Sequence, residues 1–147
     1  MDEPLRLSFE VDCPAQHAFD VWTRRMSTWW PVSHTVSGET GLEIVLEGRQ
    51  GGRIFERTAS GSEFDWGRVT SWDPPRRLSY VWHLRQEPEN ATEVDIAFCP
   101  AGPVRTRVEI EHRGWERLGA SGQVLRERNT AGWNGVLPHF LAAATAP

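Results

Sequence analysis

At 147 residues with a net charge of −4, the chain is long enough to bury its own core without a metal or a disulfide, and one domain over residues 1–147 is expected. All 16 basic residues are arginine, which excludes lysine Schiff-base chemistry, and the two signs of charge mix without the basic stripe that a nucleic-acid partner requires. Cys13 and Cys99 form no C-x-x-C pair, the five histidines stand singly and no stretch approaches about 18 apolar residues, so no metal site, cofactor or membrane span is expected.

The start, Met1-Asp2-Glu3-Pro4, has neither the basic nor the apolar part of a secretion signal, and a cytoplasmic location is expected. Leu5, Leu7, Phe9 and Val11 then alternate with polar residues, the period of a half-buried strand. Pro14 suits the first position of a helix, and Ala15, Ala18, Phe19 and Trp22 share one helical face. Ser27 is placed to cap a short second helix holding Trp29 and Trp30, which Pro31 ends.

From Gly41 the period returns to two. Leu42, Ile44 and Leu46 give a strand, Gly51-Gly52 a turn, and Arg53 to Thr58 the next strand. After Ser60-Gly61-Ser62 come Phe64 to Trp72 and Arg77 to Arg85, a pair carrying three of the eight tryptophans. So many indoles on one hairpin suggest a sheet gripping something large and apolar, a helix, a ligand or both. Thr92, Val94, Ile96 and Phe98 alternate with acids, and Val104 to His112 alternates with arginine and glutamate. The outward rows read as cross-strand charge pairs.

Trp133, Val136, Leu137, Phe140, Leu141 and Ala144 fall at helical spacing. A helix capped by Ser121 runs about 24 residues, roughly 36 Å, with Gly132, Gly135 and Pro138 weakening its centre and the tail after Ala143 fraying. The expected fold is α+β. A curved antiparallel sheet of about seven strands wraps a long C-terminal helix, with two short helices between strands 1 and 2.

Six segments in order resemble the helix-grip, START-like (SRPBCC) superfamily. They are Ala18 to Thr23, Trp29-Trp30-Pro31, Gly51-Gly52-Arg53, Trp66 to Trp82, His112 to Trp115, and Gly132 to Leu137. Within that superfamily the chain is similar to the group related to the C-terminal domain of the activator of Hsp90 ATPase. The resemblance implies a cavity between sheet and last helix, which relatives use for lipids, polyketides or other hydrophobic molecules, some of them cyclising polyketides. No counterpart of the activators' N-terminal chaperone-binding domain and no cyclase catalytic set is recognised, so neither activity is carried over.

The expected ligand-binding residues are Trp30, His34, Trp66, Tyr80, Trp82, Phe98, Val108, Ile110, Trp133, Leu137 and Phe140, each weighed against plain core packing. Glu56 and His112 are the acid–base candidates. In Ile54-Phe55-Glu56-Arg57 each face carries one apolar and one charged residue. The expected orientation of Glu56 is outward or arginine-paired; turned inward, desolvation would raise its pKa. His112 lies on an apolar face, where a lone histidine is usually a hydrogen-bonded core residue.

Three functions follow in order. The first is binding of a small hydrophobic lipid, polyketide or aromatic ligand. The second is a cyclase or hydrolase in the same cavity. The third is a chaperone- or protein-interaction domain with an exposed apolar patch. A homodimer or another protein partner is left open.

Overall fold

The computed structural model describes residues 3–146. Strand β1 (Leu5–Val11) is followed by helices α1 (Ala15–Thr23) and α2 (Met26–Trp29) and a 3-10 turn at Val32–His34. Six strands come next: β2 (Glu43–Leu46), β3 (Arg53–Arg57), β4 (Glu63–Asp73), β5 (Arg77–Trp82), β6 (Thr92–Gly102) and β7 (Arg105–Arg113). A 3-10 segment at Trp115–Ser121 leads into α3 (Gly122–Thr145). All pairings are antiparallel in the order β1-β7-β6-β5-β4-β3-β2, the α+β arrangement expected from the alternation of period.

The register aligns the apolar alternation of each strand into rows. Leu7, Ile110, Ile96 and Leu78 form one row, and Leu5, His112, Val94 and Tyr80 the next. Phe9, Val108 and Phe98 form a third. Burying such side chains contributes about 1.5–3 kcal/mol each. On the opposite face Arg6 pairs with Glu111 at 3.1 Å, and Arg113 with Glu93 at 3.0 Å and with Asp95. These are partly exposed pairs, worth about 0–1 kcal/mol apiece. At Gly67 an added Cβ would run into the Val81 carbonyl oxygen, so glycine is required for β4 to approach β5 there.

Several boundaries differ from the sequence reading. Pro14 flanks α1 in extended conformation instead of opening it. Ser27 does not cap α2: its hydroxyl accepts the Ile44 N–H at 3.0 Å and fastens α2 to β2. Strand β5 stops at Trp82, because His83 to Gln86 makes a turn in which Arg85 is left-handed at φ 63°. Ser121 flanks α3 without a side-chain cap, and the helix continues through Thr145 with Ala144 buried.

The space under the C-terminal half of α3 is filled by aromatic rings. Phe140 meets Trp22 at 4.9 Å, Trp29 at 5.4 Å and Phe9 at 6.2 Å between centroids. Phe19 and Phe98 meet edge-on at 5.2 Å. Trp22 and Trp133 stack at 6.0 Å, joining α1 to α3. Such contacts contribute about 0.5–1.5 kcal/mol beyond area burial.

Candidate functional site

The opening between sheet and closing helix lies at the N-terminal half of α3. Where β5 ends, the His83–Gln86 turn faces Leu125, Arg128, Asn129 and Gly132 of α3. Trp115 and Leu118 close one side and His34 the other. The cleft holds about 330 Å³. A narrower space of about 50 Å³ shares His34, Trp82, Leu84, Asn129 and Gly132 with it and reaches Trp30, Trp133 and Val136. An apolar cavity with a few converging polar groups is the usual form of a small-molecule site.

A larger groove of about 880 Å³ runs over α1 and the β4–β5 turn, lined by His17, Asp20, Trp72, Pro74 and Pro75 among others. Its carboxylate, Asp20, already faces Arg24 and Arg25 at 3.6 and 3.4 Å. It lies outside the space between sheet and α3 and carries no unmet polar group among the described residues.

The mouth of the cleft is a tied loop. Trp30 donates its indole N–H to the His34 carbonyl at 2.9 Å. Arg85 reaches across to donate to the Thr35 and Ser33 carbonyls, each at 2.8 Å. Burial lowers the His34 pKa below its ordinary value, and the nearby Arg85 and His139 charges lower it further.

Glu56 contradicts the orientation expected of it. The carboxylate is fully buried and points inward. Its Oε1 accepts the Val36 N–H at 2.6 Å and the Trp66 indole N–H at 2.8 Å, and its Oε2 accepts the Ser37 N–H at 2.9 Å. Burial alone would raise its pKa, but these donors outweigh burial and hold it below the usual carboxylate value. Glu56 anchors the loop behind the mouth and has no reason to take up a proton near neutrality. Phe55 faces outward instead, roofed by the Arg53 and Arg57 guanidinium groups at 4.0 and 5.3 Å from its ring centre.

His112 is likewise enclosed. Trp133 donates its indole N–H to Nδ1 at 3.1 Å, and Nε2 stands 2.6 Å from the Thr92 hydroxyl. Since Nδ1 accepts, the neutral ring carries its proton on Nε2 and donates to Thr92, whose own hydroxyl faces the Trp82 carbonyl at 3.4 Å. Burial pushes the pKa down to about 3.

Of the expected binding residues, Trp30, His34, Trp82 and Trp133 come together around the inner space. Trp66, Tyr80, Phe98, Val108, Ile110 and Phe140 are buried in the packed core and line none of these spaces; Phe19 packs on Phe98, Trp22 and Trp29 on Phe140, and Trp30 and Trp82 on Trp66. Leu137 is half-buried against that core. Burial raises the Tyr80 phenol pKa.

The sequence reading missed His83, Leu84, Arg85, Leu118, Leu125, Arg128, Asn129 and Gly132 as cleft residues. No Gly, Asn or Asp marks the left-handed position at Arg85, so nothing signalled that β5 would stop short. Gly132 could have been read: a glycine inside an apolar helical pattern suggests close packing or open space.

Residues 12–146 match the family model described as activator of Hsp90 ATPase homolog 1-like protein. Among solved structures the chain is similar to an anthrahydroquino-gamma-pyrone synthase, Txn09, complexed with SUM. The identity is 35%, the match covers 82% of each chain, and the TM-score is 0.59. It is similar also to CalC from Micromonospora echinospora, a self-sacrificing resistance protein, at 27% identity over 97% of this chain and 94% of that one, with TM-score 0.74. An HSP90 activator from Plasmodium falciparum shares the fold at 20% identity, covering 95% and 94% of the two chains, with TM-score 0.66. A search of curated proteins gave no match.

Proposed function

The chain belongs to the family of activator of Hsp90 ATPase homolog 1-like proteins, and from its cleft we propose that it binds a small apolar molecule, aromatic or acyl, between the β5–β6 turn and the N-terminal half of α3. The observation that carries this reading is the cleft itself. It is walled by Trp82, Leu84, Trp115, Leu118 and Leu125 and continues inward to Trp30 and Trp133. Apolar area removed from water contributes about 25 cal/mol per Å², and indoles offer flat surfaces suited to ring systems. The name of the 35% identical relative, a pyrone synthase, supports an aromatic or polyketide ligand.

That relative also supports a second reading, a reaction in the same cleft. Its acid–base groups would be His34 and His83, which line the cleft, and not Glu56 or His112, which are saturated by protein partners. The protein-partner reading rests on the family description alone.

Native mass spectrometry of freshly purified protein, followed by thermal unfolding with fatty acids and polyaromatic compounds, tests ligand binding. A co-purified small molecule, or a raised Tm that disappears in Gly132→Leu, is the expected result. Neither signal with any compound would overturn the reading.

A further inference from the structure

The charge lining the cleft has a sign. In a chain carrying 20 acidic residues and a net charge of −4, no Asp or Glu among the described residues lines the cleft, whereas Arg85, Arg128, His34 and His83 do. Elsewhere most of the arginines are neutralised, with Arg68, Arg77 and Arg126 the exceptions among the described residues. Eleven of the sixteen pair with a carboxylate among the described residues, and Arg85 and Arg128 are not among the eleven.

Two further observations mark this end as built for something the protein does not itself supply. Arg85 is the one residue other than glycine with positive φ among the described residues, at 63°. A strained conformation of this kind persists only where surrounding contacts enforce it, and such positions cluster at ligand sites. Its Nε and Nη2 are committed to the Thr35 and Ser33 carbonyls, and Nη1 has no acceptor among the described residues. His83 is 9% exposed, and its Nδ1 is buried without a hydrogen-bond partner. Buried polar atoms are nearly always paired, so an unpaired one in a cleft wall points to a missing ligand atom.

Resting on the binding reading above, we propose that the natural ligand is an anion: an apolar, ring-bearing molecule carrying a single carboxylate, held by Arg128 and Arg85 with His83 Nδ1 completing the polar contact. The apolar walls favour one delocalised charge over a doubly charged, strongly hydrated group such as phosphate. The guanidinium fork matches a carboxylate in shape as well as charge.

Calorimetric titration with naphthoate and with its uncharged amide, naphthamide, separates the possibilities. Naphthoate is expected to bind at least about tenfold more tightly at low salt, with the difference shrinking as salt rises. Arg128→Gln should reduce that ratio several-fold and leave naphthamide unaffected; Arg128 is exposed and has no partner among the described residues, so its loss should not alter the Tm. His83→Phe, which keeps the ring and removes the nitrogen, should weaken naphthoate alone. If both compounds bind equally, or Arg128→Gln leaves the ratio unchanged, the anion assignment is overturned while the cleft remains a binding site. If neither binds, the anion assignment is overturned, and the binding reading falls with it only where the fatty-acid and polyaromatic screen is silent too.

Discussion

Trp133 on α3 donates its indole N–H to His112 Nδ1 on β7 at 3.1 Å, and this bond ties the closing helix to the sheet while fixing the tautomer of a buried imidazole. Protonating His112 would put a hydrogen on the atom that must accept. The folded pKa of about 3 lies below the ordinary 6.5, so the unfolded chain binds the proton first as pH falls. Stability from this group is whole above about pH 6.5. It declines toward pH 3 by up to about 1.4 kcal/mol per unit. His34, also lowered, acts in the same direction. Urea unfolding from pH 7 to pH 4 should show this slope reduced in His112→Leu, whereas His34→Gln should remove only a smaller part.

Glu56 works through three N–H donors. Glu56→Gln turns one acceptor oxygen into a donor facing a donor, and a loss of about 1–3 kcal/mol is expected from urea midpoints at pH 7. Its folded pKa is below the ordinary 4.5, so its contribution is present above that value and is lost as pH falls through the folded one. The Gln variant should therefore lose less stability than wild type over that acid range. Equal stability of the two at pH 7 would mean the carboxylate is not the anchor of the loop.

Gly132 sits inside α3, and a Cβ added there meets nothing within 4 Å. Gly132→Ala should therefore stabilise the helix by about 0.5–1 kcal/mol. Gly132→Leu should keep the fold and project into the cleft, weakening any ligand that raises the wild-type Tm by at least about tenfold. Unchanged affinity in Gly132→Leu would place the ligand elsewhere.

Phe140 and Leu125 lie on the same helix but do different work. Phe140 is fully buried among aromatic rings, and Phe140→Ala should lose about 3–5 kcal/mol. Leu125 is half-buried on the cleft wall, and Leu125→Ala should lose only about 1 kcal/mol while reducing ligand affinity. Paired denaturation and titration curves check the contrast; equal stability losses would mean the cleft wall is core.

Apolar periodicity was enough to read the strands, the first short helix and the long closing helix, and short turns their antiparallel pairing; the second short helix was read from a Ser27 cap that the structure does not form. A half-buried strand must alternate and a packed helix must repeat near every third or fourth residue, whatever lies opposite. It was not enough for Glu56. Ile54-Phe55-Glu56-Arg57 is balanced between its faces, and the tie was broken by N–H donors at Val36 and Ser37, about twenty residues away, and by two arginines able to roof an outward Phe55. Nor did the pattern reveal where the interior is solid. Trp66 and Phe140 are as apolar as Trp82 and Trp133, and only rings distant in sequence, Trp30 against Trp66 and Trp22 and Trp29 against Phe140, decide which of them face a space. Which face of an element is apolar is a property of the element itself. How much volume remains in front of that face depends on side chains distant in sequence, and that was settled when the chain closed on itself.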